Sequence, residues 1–476
     1  PSNPGSSDAP AAVTYTADEV AAETKRLNDW FEVKFEEEVA FSPITQTFLG
    51  RKTNYGKIDD LSQEASDKQM AWRKASVETM KADFDYDKLT ADAKISWDIW
   101  EYQYDAAVAA DAFRTNGYIF EQMGAVHTQL PRILIAVHKV DDLSDMEAYI
   151  SRLSESARAI EQLIVLSKTN SAAGVRPPRF SFESVIDSAQ NLITGAPFDD
   201  GADSAIWADA QSKVDALLEK GDIDAAKADS LKAAAKAALL DNWKPAYANL
   251  VAWQKEDIKN TPEIGTGVGV LPNGEAYYNE RLANNTTTAL TADEIHKIGL
   301  DEVARLRAEM IAVKEQVGFE GDLQAFFAEL RDNKDDERYY YPNTDEGRQG
   351  YIDDSTAAIE RIKQELPKFF GILPKADLEV KRVEAFREQD GAAQHYNSGT
   401  PDGSRPGVYY AHLSDMKAMP KRELEVIAYH EGLPGHHMQI SIAQELTGVP
   451  TFRTQAGFNA YAEGWGLYTE WLATEF

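Results

Sequence analysis

The chain of 476 residues contains no cysteine. That excludes disulfides, a thiol nucleophile and thiolate metal ligands, and leaves any metal to His, Asp and Glu. Positive charge is also scarce: 49 Lys and Arg stand against 79 Asp and Glu, a formal net charge of -30, with no basic cluster along the sequence. Such a surface repels a phosphate backbone, so nucleic acid is not an expected partner. No apolar run approaches the roughly 18 to 20 residues of a membrane-spanning helix. Only eight histidines are present.

Three of those eight fall within His430-Glu431-Gly432-Leu433-Pro434-Gly435-His436-His437, and a second run, Asn459-Ala460-Tyr461-Ala462-Glu463-Gly464-Trp465, follows on the next predicted helix. Two imidazoles, a third ligand and a neighbouring carboxylate are the ingredients of a hydrolytic zinc site. In the pattern H-E-x-x-H, the histidines lie four apart and share a helix face. Here the partners lie six and seven residues on. Six residues turn about 600°, roughly 120° off the starting face, while seven turn about 700° but travel roughly 10.5 Å along the axis. A bulge at Pro434 and Gly435 is therefore expected, bringing a later histidine alongside His430. His436 is the expected second ligand and His437 the alternate. Glu463 is the expected third ligand, with Glu470 competing two turns later. Glu431 is then the general base, taking a proton from water as it attacks a carbonyl and delivering it to the leaving amine.

Helical signals dominate the rest. Thr16-Ala17-Asp18-Glu19 reads as a capping box, after which Leu27, Trp30, Phe31 and Phe35 share one face. Helical stretches continue through 60–112, 142–168 and 202–254, with Pro245 kinking or ending one of them. A second capping box, Thr291-Ala292-Asp293-Glu294, opens a helix whose inner face would carry Ile295, Ile298, Val303, Leu306 and Met310. Leu378 to Val383 and Val408 to Leu413 read as strands. The fold class is mainly α, with a small β element next to the zinc-binding helix.

The expected organisation is a flexible processed linker over 1–14, a helical region over 15–259 and a catalytic region over 260–476. The last is expected to be incomplete, because nothing after Gly466 closes the helix running from about Phe458 to Phe476. The Pro/Ser/Gly/Ala-rich tract Pro1 to Ala12 suggests the tether of an exported bacterial lipoprotein, periplasmic or on the outer surface.

Beyond the ligands, the strand from Val408 could hold an extended peptide and Arg405 could engage a carboxylate, against the plainer reading of an ordinary edge strand with a solvated arginine. Arg405, Tyr409 and Tyr461 are candidate substrate-binding residues, and His395 and Tyr396 join the two tyrosines as candidate donors to a developing oxyanion. His127, His138 and His296 are expected to be packing or surface residues, and Trp465, Tyr468 and Trp471 mostly core.

These residues resemble the bacterial family catalogued as domain of unknown function 885, which is similar to zinc peptidases of the gluzincin type. The resemblance rests on Leu271-Pro272-Asn273-Gly274-Glu275-Ala276-Tyr277-Tyr278, Thr286-Thr287-Thr288 with the helix after it, Asp402-Gly403-Ser404-Arg405-Pro406-Gly407, the His430 motif and Ala462-Glu463-Gly464-Trp465. It covers most of 260–476. It implies an elongated, mostly α metallopeptidase-like fold, frequent export or lipid anchoring, ligands at His430, the His436/His437 pair and Glu463, and a base at Glu431.

The expected function is thus hydrolysis of short peptides with one Zn2+ per chain, and contact with a membrane only through an N-terminal lipid anchor. The alternatives are a zinc-binding lipoprotein without catalysis, or an amidase or esterase on a non-peptide substrate.

Overall fold

The computed structural model describes residues 14–384 and 388–475, so the proposed tether, Pro1 to Ala12, lies outside the described residues. The protein is mainly helical, with one small sheet. The first helix, Ala17–Ala40, opens on the expected capping box: the Glu19 N–H donates to the Thr16 hydroxyl at 3.2 Å, and the Thr16 N–H donates to the Glu19 carboxylate at 2.8 Å. Residues four apart then line one face, and Leu27, Phe31, Phe35 and Val39 are buried.

The predicted stretch 60–112 is two helices, Gln63–Asp83 and Ala91–Asp111, each started by a side-chain cap, Ser62 and Thr90. With the first helix they enclose an aromatic nest that also takes in a residue from far along the chain. Phe452 sits with its ring centroid 4.8 Å from that of Phe31 and 5.0 Å from that of Trp100. Around it, the Thr451 N–H donates to the Glu32 carboxylate at 2.9 Å, and Arg453 pairs with Asp92 at 2.9 Å.

A second core unites the long helix Leu143–Ala172 with Arg179–Asn191, Ala205–Lys220, Ala225–Ala238 and Lys244–Asp257 around Leu153, Ile160, Trp243 and Tyr247. Pro245 stands at an interruption of a helical run, between Ala225–Ala238 and Lys244–Asp257. It occupies the first turn of Lys244–Asp257, where its missing N–H costs nothing, directly after a widened turn at Leu239–Trp243.

The third core holds the sheet and the His430 motif. Strands β1 (Leu378–Arg382), β2 (His395–Asn397) and β3 (Gly407–Ala411) lie in the order β1-β3-β2, with β1 parallel and β2 antiparallel to β3. β3 is therefore central: both of its edges are paired, and it cannot accept a peptide as the sequence suggested. β2 was not read from the sequence, because three residues are too few to carry a periodic signal. Tyr409 on β3 packs with Tyr351, Ile359, Ala428 and Leu433, joining the sheet to the helices Asp345–Glu365 and Lys421–Glu431.

Two expectations about burial fail. The helix Ala292–Gln316 has its capping box at Thr291, yet buries none of its residues: Ile298, Val303, Leu306 and Met310 are 52%, 65%, 41% and 44% exposed. Likewise Tyr468 and Trp471 are exposed and Trp465 is only half-buried. On the helix Ala292–Gln316 and at Tyr468 and Trp471 the sequence records an apolar stripe that the described elements leave largely uncovered; periodicity specifies a face and not its partner. No described helix is long and apolar enough to cross a membrane.

Candidate metal centre

The helix Lys421–Glu431 ends just after the first histidine of the motif, and a new helix, His436–Glu445, begins at the second. The expected bulge within one helix is instead a complete break at Gly432 to Gly435. Gly435 makes the tight return possible: a Cβ there would lie 1.9 Å from the His430 carbonyl oxygen, and its own N–H donates to the Tyr429 carbonyl at 2.9 Å. This return folds the start of the second helix against the last turn of the first. The rings of His430 and His436 meet at right angles, 4.6 Å between centroids, with their Nε2 atoms 3.1 Å apart.

The helix Asn459–Leu472 packs across this junction. A Cβ at Gly466 would lie 2.6 Å from the His430 ring, so glycine makes room for the imidazole. The Trp465 indole N–H donates to the Pro434 carbonyl at 2.9 Å and fastens the helix to the break. This brings a Glu463 carboxylate oxygen to 3.5 Å from His430 Nε2 and 3.7 Å from His436 Nε2. The three ligand atoms lie within 4.8 Å of one another. Zinc bonds of about 2.0 to 2.1 Å in a tetrahedron would separate ligand atoms by about 3.3 to 3.4 Å, so these residues fit such an ion. Glu463 is exposed and the two histidines half-buried, which leaves a side open to solvent.

Glu470 does not compete for the ligand position. Its carboxylate oxygen lies 2.8 Å from His430 Nδ1, where it orients the ring and leaves Nε2 to face His436 and Glu463. His437, the alternate ligand, is turned away. Its Nε2–H donates to the Ala376 carbonyl at 3.1 Å and its Nδ1 accepts from the Tyr396 hydroxyl at 3.0 Å. Both nitrogens being engaged, it ties β2 to the second helix, and burial pushes its pKa down to about 4.

Glu431 is buried, and that burial pushes its pKa up to about 7. His430 opposes the rise, Glu463 adds to it, and the Tyr396 backbone N–H directed at the carboxylate again lowers it. Burial also lowers the pKa of His436, with His430 adding to the effect.

The remaining candidates are not among the three grouped ligand atoms, although Tyr409 lies close enough to Glu431 for that carboxylate to help raise its pKa. Tyr409 is fully buried with its hydroxyl 3.1 Å from that of Tyr351, so it has no surface to offer a substrate. Tyr461 is exposed, about 140° round its helix from Gly466 and so away from His430. His395 stacks against Tyr410 at 5.4 Å. Arg405 is half-buried and donates to the Phe48 carbonyl at 3.3 Å. His127 and His138 are buried and His296 is exposed, as expected. The roles of Glu470, Gly466 and Tyr396 had no separate signal in the sequence, since each depends on which ring it meets.

The family described as "Bacterial protein of unknown function (DUF885)" matches residues 43–476. The chain belongs to this family. Among solved structures, this DUF885 protein is similar to the crystal structure of "the putative lipoprotein from Colwellia psychrerythraea", with a TM-score of 0.83 and 23% identity over 95% of this chain and 78% of that one. At that identity the likeness establishes the shared, mainly α fold. No curated protein matches the chain.

Proposed function

We propose that this DUF885 protein is a zinc-dependent peptidase of short peptides. The observation that carries the reading is the mutual approach of His430 Nε2, His436 Nε2 and the Glu463 carboxylate at 3.1 to 3.7 Å, with Glu431 adjoining them in the chain. Zn2+ held there would polarise the scissile carbonyl and lower the pKa of water.

The protein's own groups handle the proton. Glu431 accepts it from the attacking water as the oxygen–carbon bond forms, and returns it to the amine nitrogen as the carbon–nitrogen bond breaks. Burial favours the neutral form of Glu431, which suits the second half of that cycle, while the Tyr396 N–H favours the charged form needed in the first. Glu470 holds the His430 ring throughout.

We further infer that the protein is exported and meets a membrane only through an N-terminal lipid anchor. The Pro1 to Ala12 tract and the lipoprotein description of the Colwellia structure support this reading.

The test of the hydrolase reading is mass-spectrometric cleavage of a diverse short-peptide mixture by the zinc-loaded protein, alongside Glu431→Gln. The variant keeps the ligands and loses the base. Cleavage by the parent protein alone is the expected result. No cleavage by either protein at full zinc occupancy would leave a zinc-binding lipoprotein without catalysis, or an amidase or esterase on other substrates.

A further inference from the structure

The helix Ala292–Gln316 buries none of its 25 residues. Its exposed apolar side chains are not scattered. Val303, Leu306, Met310, Val313 and the C-cap residue Val317 follow one another in steps of three and four, and all five are exposed. A residue every 3.5 positions keeps to one line along a helix. The next helix, Leu323–Asp332, touches this one, but beyond the first turn the half-buried residues are Ile311 and Lys314, to the side of that line. In heptad terms Val303, Met310 and Val317 take position a, and Leu306 and Val313 take position d. β-Branched residues at a with leucine at d favour two strands. Towards the N-terminus the line runs on through Gly299 and His296, so the apolar seam spans about two heptads.

The charges beside the seam fit one occupant. Glu302 and Glu309 hold position g on one flank and share one cation, Arg305, at 2.6 and 2.7 Å, which leaves that flank net negative. Arg307 and Lys314 hold position e on the other flank. Among the described residues neither is paired with a carboxylate, and the Lys314 ammonium donates to the Gly321 carbonyl at 2.8 Å. In two parallel helices each g residue faces the e residue five positions further on in the partner. Against a copy of itself, this helix sets Glu302 of one chain facing Arg307 of the other, Glu309 facing Lys314, and Ile295 facing Leu300. That is acid on base twice and apolar on apolar once. An antiparallel pairing would set acid on acid and base on base. The helix carries six acids and four bases, so it is nearly balanced where the whole chain, at net charge -30, is not. Two copies therefore repel one another least along this helix.

We propose that two copies of the chain associate through Ala292–Gln316, parallel and in register, as a short two-stranded coiled coil. The pairing is independent of the peptidase reading and of the metal centre.

Sedimentation velocity of the full protein at up to about 100 μM should show a dimer. Glu302→Lys with Glu309→Lys, and separately Arg307→Glu with Lys314→Glu, set like charges against each other and should each weaken the dimer about tenfold or more. An equimolar mixture of the two variants should restore it, because every charged g–e pair is then opposite in sign; variants that had merely lost their fold would not rescue one another. Val313→Cys reads the register. The chain has no cysteine of its own, and mild oxidation should link the two copies of this d position only if the helices run parallel. A monomer at every concentration, a dimer indifferent to both charge reversals, or a mixture that stays monomeric overturns the pairing and leaves the seam to a different occupant. A Val313→Cys dimer that does not cross-link overturns the parallel register.

Discussion

His430 and Glu470, on different helices and 40 residues apart in the chain, meet through Nδ1 and a carboxylate oxygen at 2.8 Å. The carboxylate fixes both the tilt and the tautomer of the ring, so that Nε2 faces the other ligand atoms. Glu470→Gln keeps the shape but removes the charge that raises the basicity of the imidazole. We expect it to weaken zinc binding about 10- to 100-fold with little change in melting temperature of the zinc-free protein. Chelator-competition titration measures this, and an unchanged affinity would rule out the orienting role.

Gly466→Ala should be far more damaging than its size suggests. The added methyl would sit 2.6 Å from the His430 ring, whereas a Cβ at Gly464, two residues away, meets nothing within 4 Å. Gly466→Ala is expected to cost about 1 to 3 kcal/mol in denaturant titrations and to abolish tight zinc binding. Gly464→Ala should do neither, and equal behaviour of the two variants would contradict the packing described.

The neighbouring histidines should separate cleanly. On the proposed ligand set, His436→Ala removes a ligand atom and should eliminate stoichiometric zinc while leaving the fold in place. His437→Ala breaks the bonds to Ala376 and Tyr396, so it should lower stability by about 1 to 3 kcal/mol and leave one zinc per chain. Metal analysis after dialysis, read beside thermal melts, distinguishes them; a zinc-free His437→Ala protein would reverse the ligand assignment.

Acid should weaken the protein before its carboxylates titrate in bulk. Burial pushes the pKa of His127 down to about 4 and that of His138 to about 3, and Arg152, which donates to His138 Nδ1 at 3.0 Å, opposes a second charge there. Both values lie below the 6.5 of a free imidazole, so the unfolded chain takes up protons first as pH falls. The stability from these two neutral rings is complete above about pH 6.5 and is lost on descending towards 4 and 3, each ring contributing a slope of up to about 1.4 kcal/mol per pH unit. Denaturant titrations at pH 7, 6 and 5 should show falling stability, with a shallower fall in His127→Gln. Glu431, held up at about 7, opposes this fall over the same window, so a flat profile in the Glu431→Gln protein would mean the rings are not held neutral.

How far the sequence speaks depends on the range of the interaction. Thr16 with Glu19 and Thr291 with Glu294 cap their helices three residues away, so those starts were legible as written. That His430 and Glu463 come together was legible, because a metal site needs particular residue types close together. The choice between His436 and His437 was not, since it turns on Tyr396, about 40 residues upstream on a strand too short to announce itself. Nor was the break at Gly432 to Gly435, which satisfies the same spacing argument as the bulge that was expected. The stripe from Ile298 to Met310 was read correctly as apolar and wrongly as inward, because no single sequence says what lies opposite a face.

The seat of Phe452 in the aromatic nest bears on the order in which the protein folds. Thr451 bonds to Glu32 across 419 residues, and closing a loop of that length costs about 2 kcal/mol more in chain entropy than closing the 40 residues between His430 and Glu470. The anchor lies between the two helices that carry His436 and Glu463. The helix Ala17–Ala40 is thus a template on which the segment around Phe452 must alight, and assembly of the proposed ligand set is coupled to a contact with a high loop-closure cost.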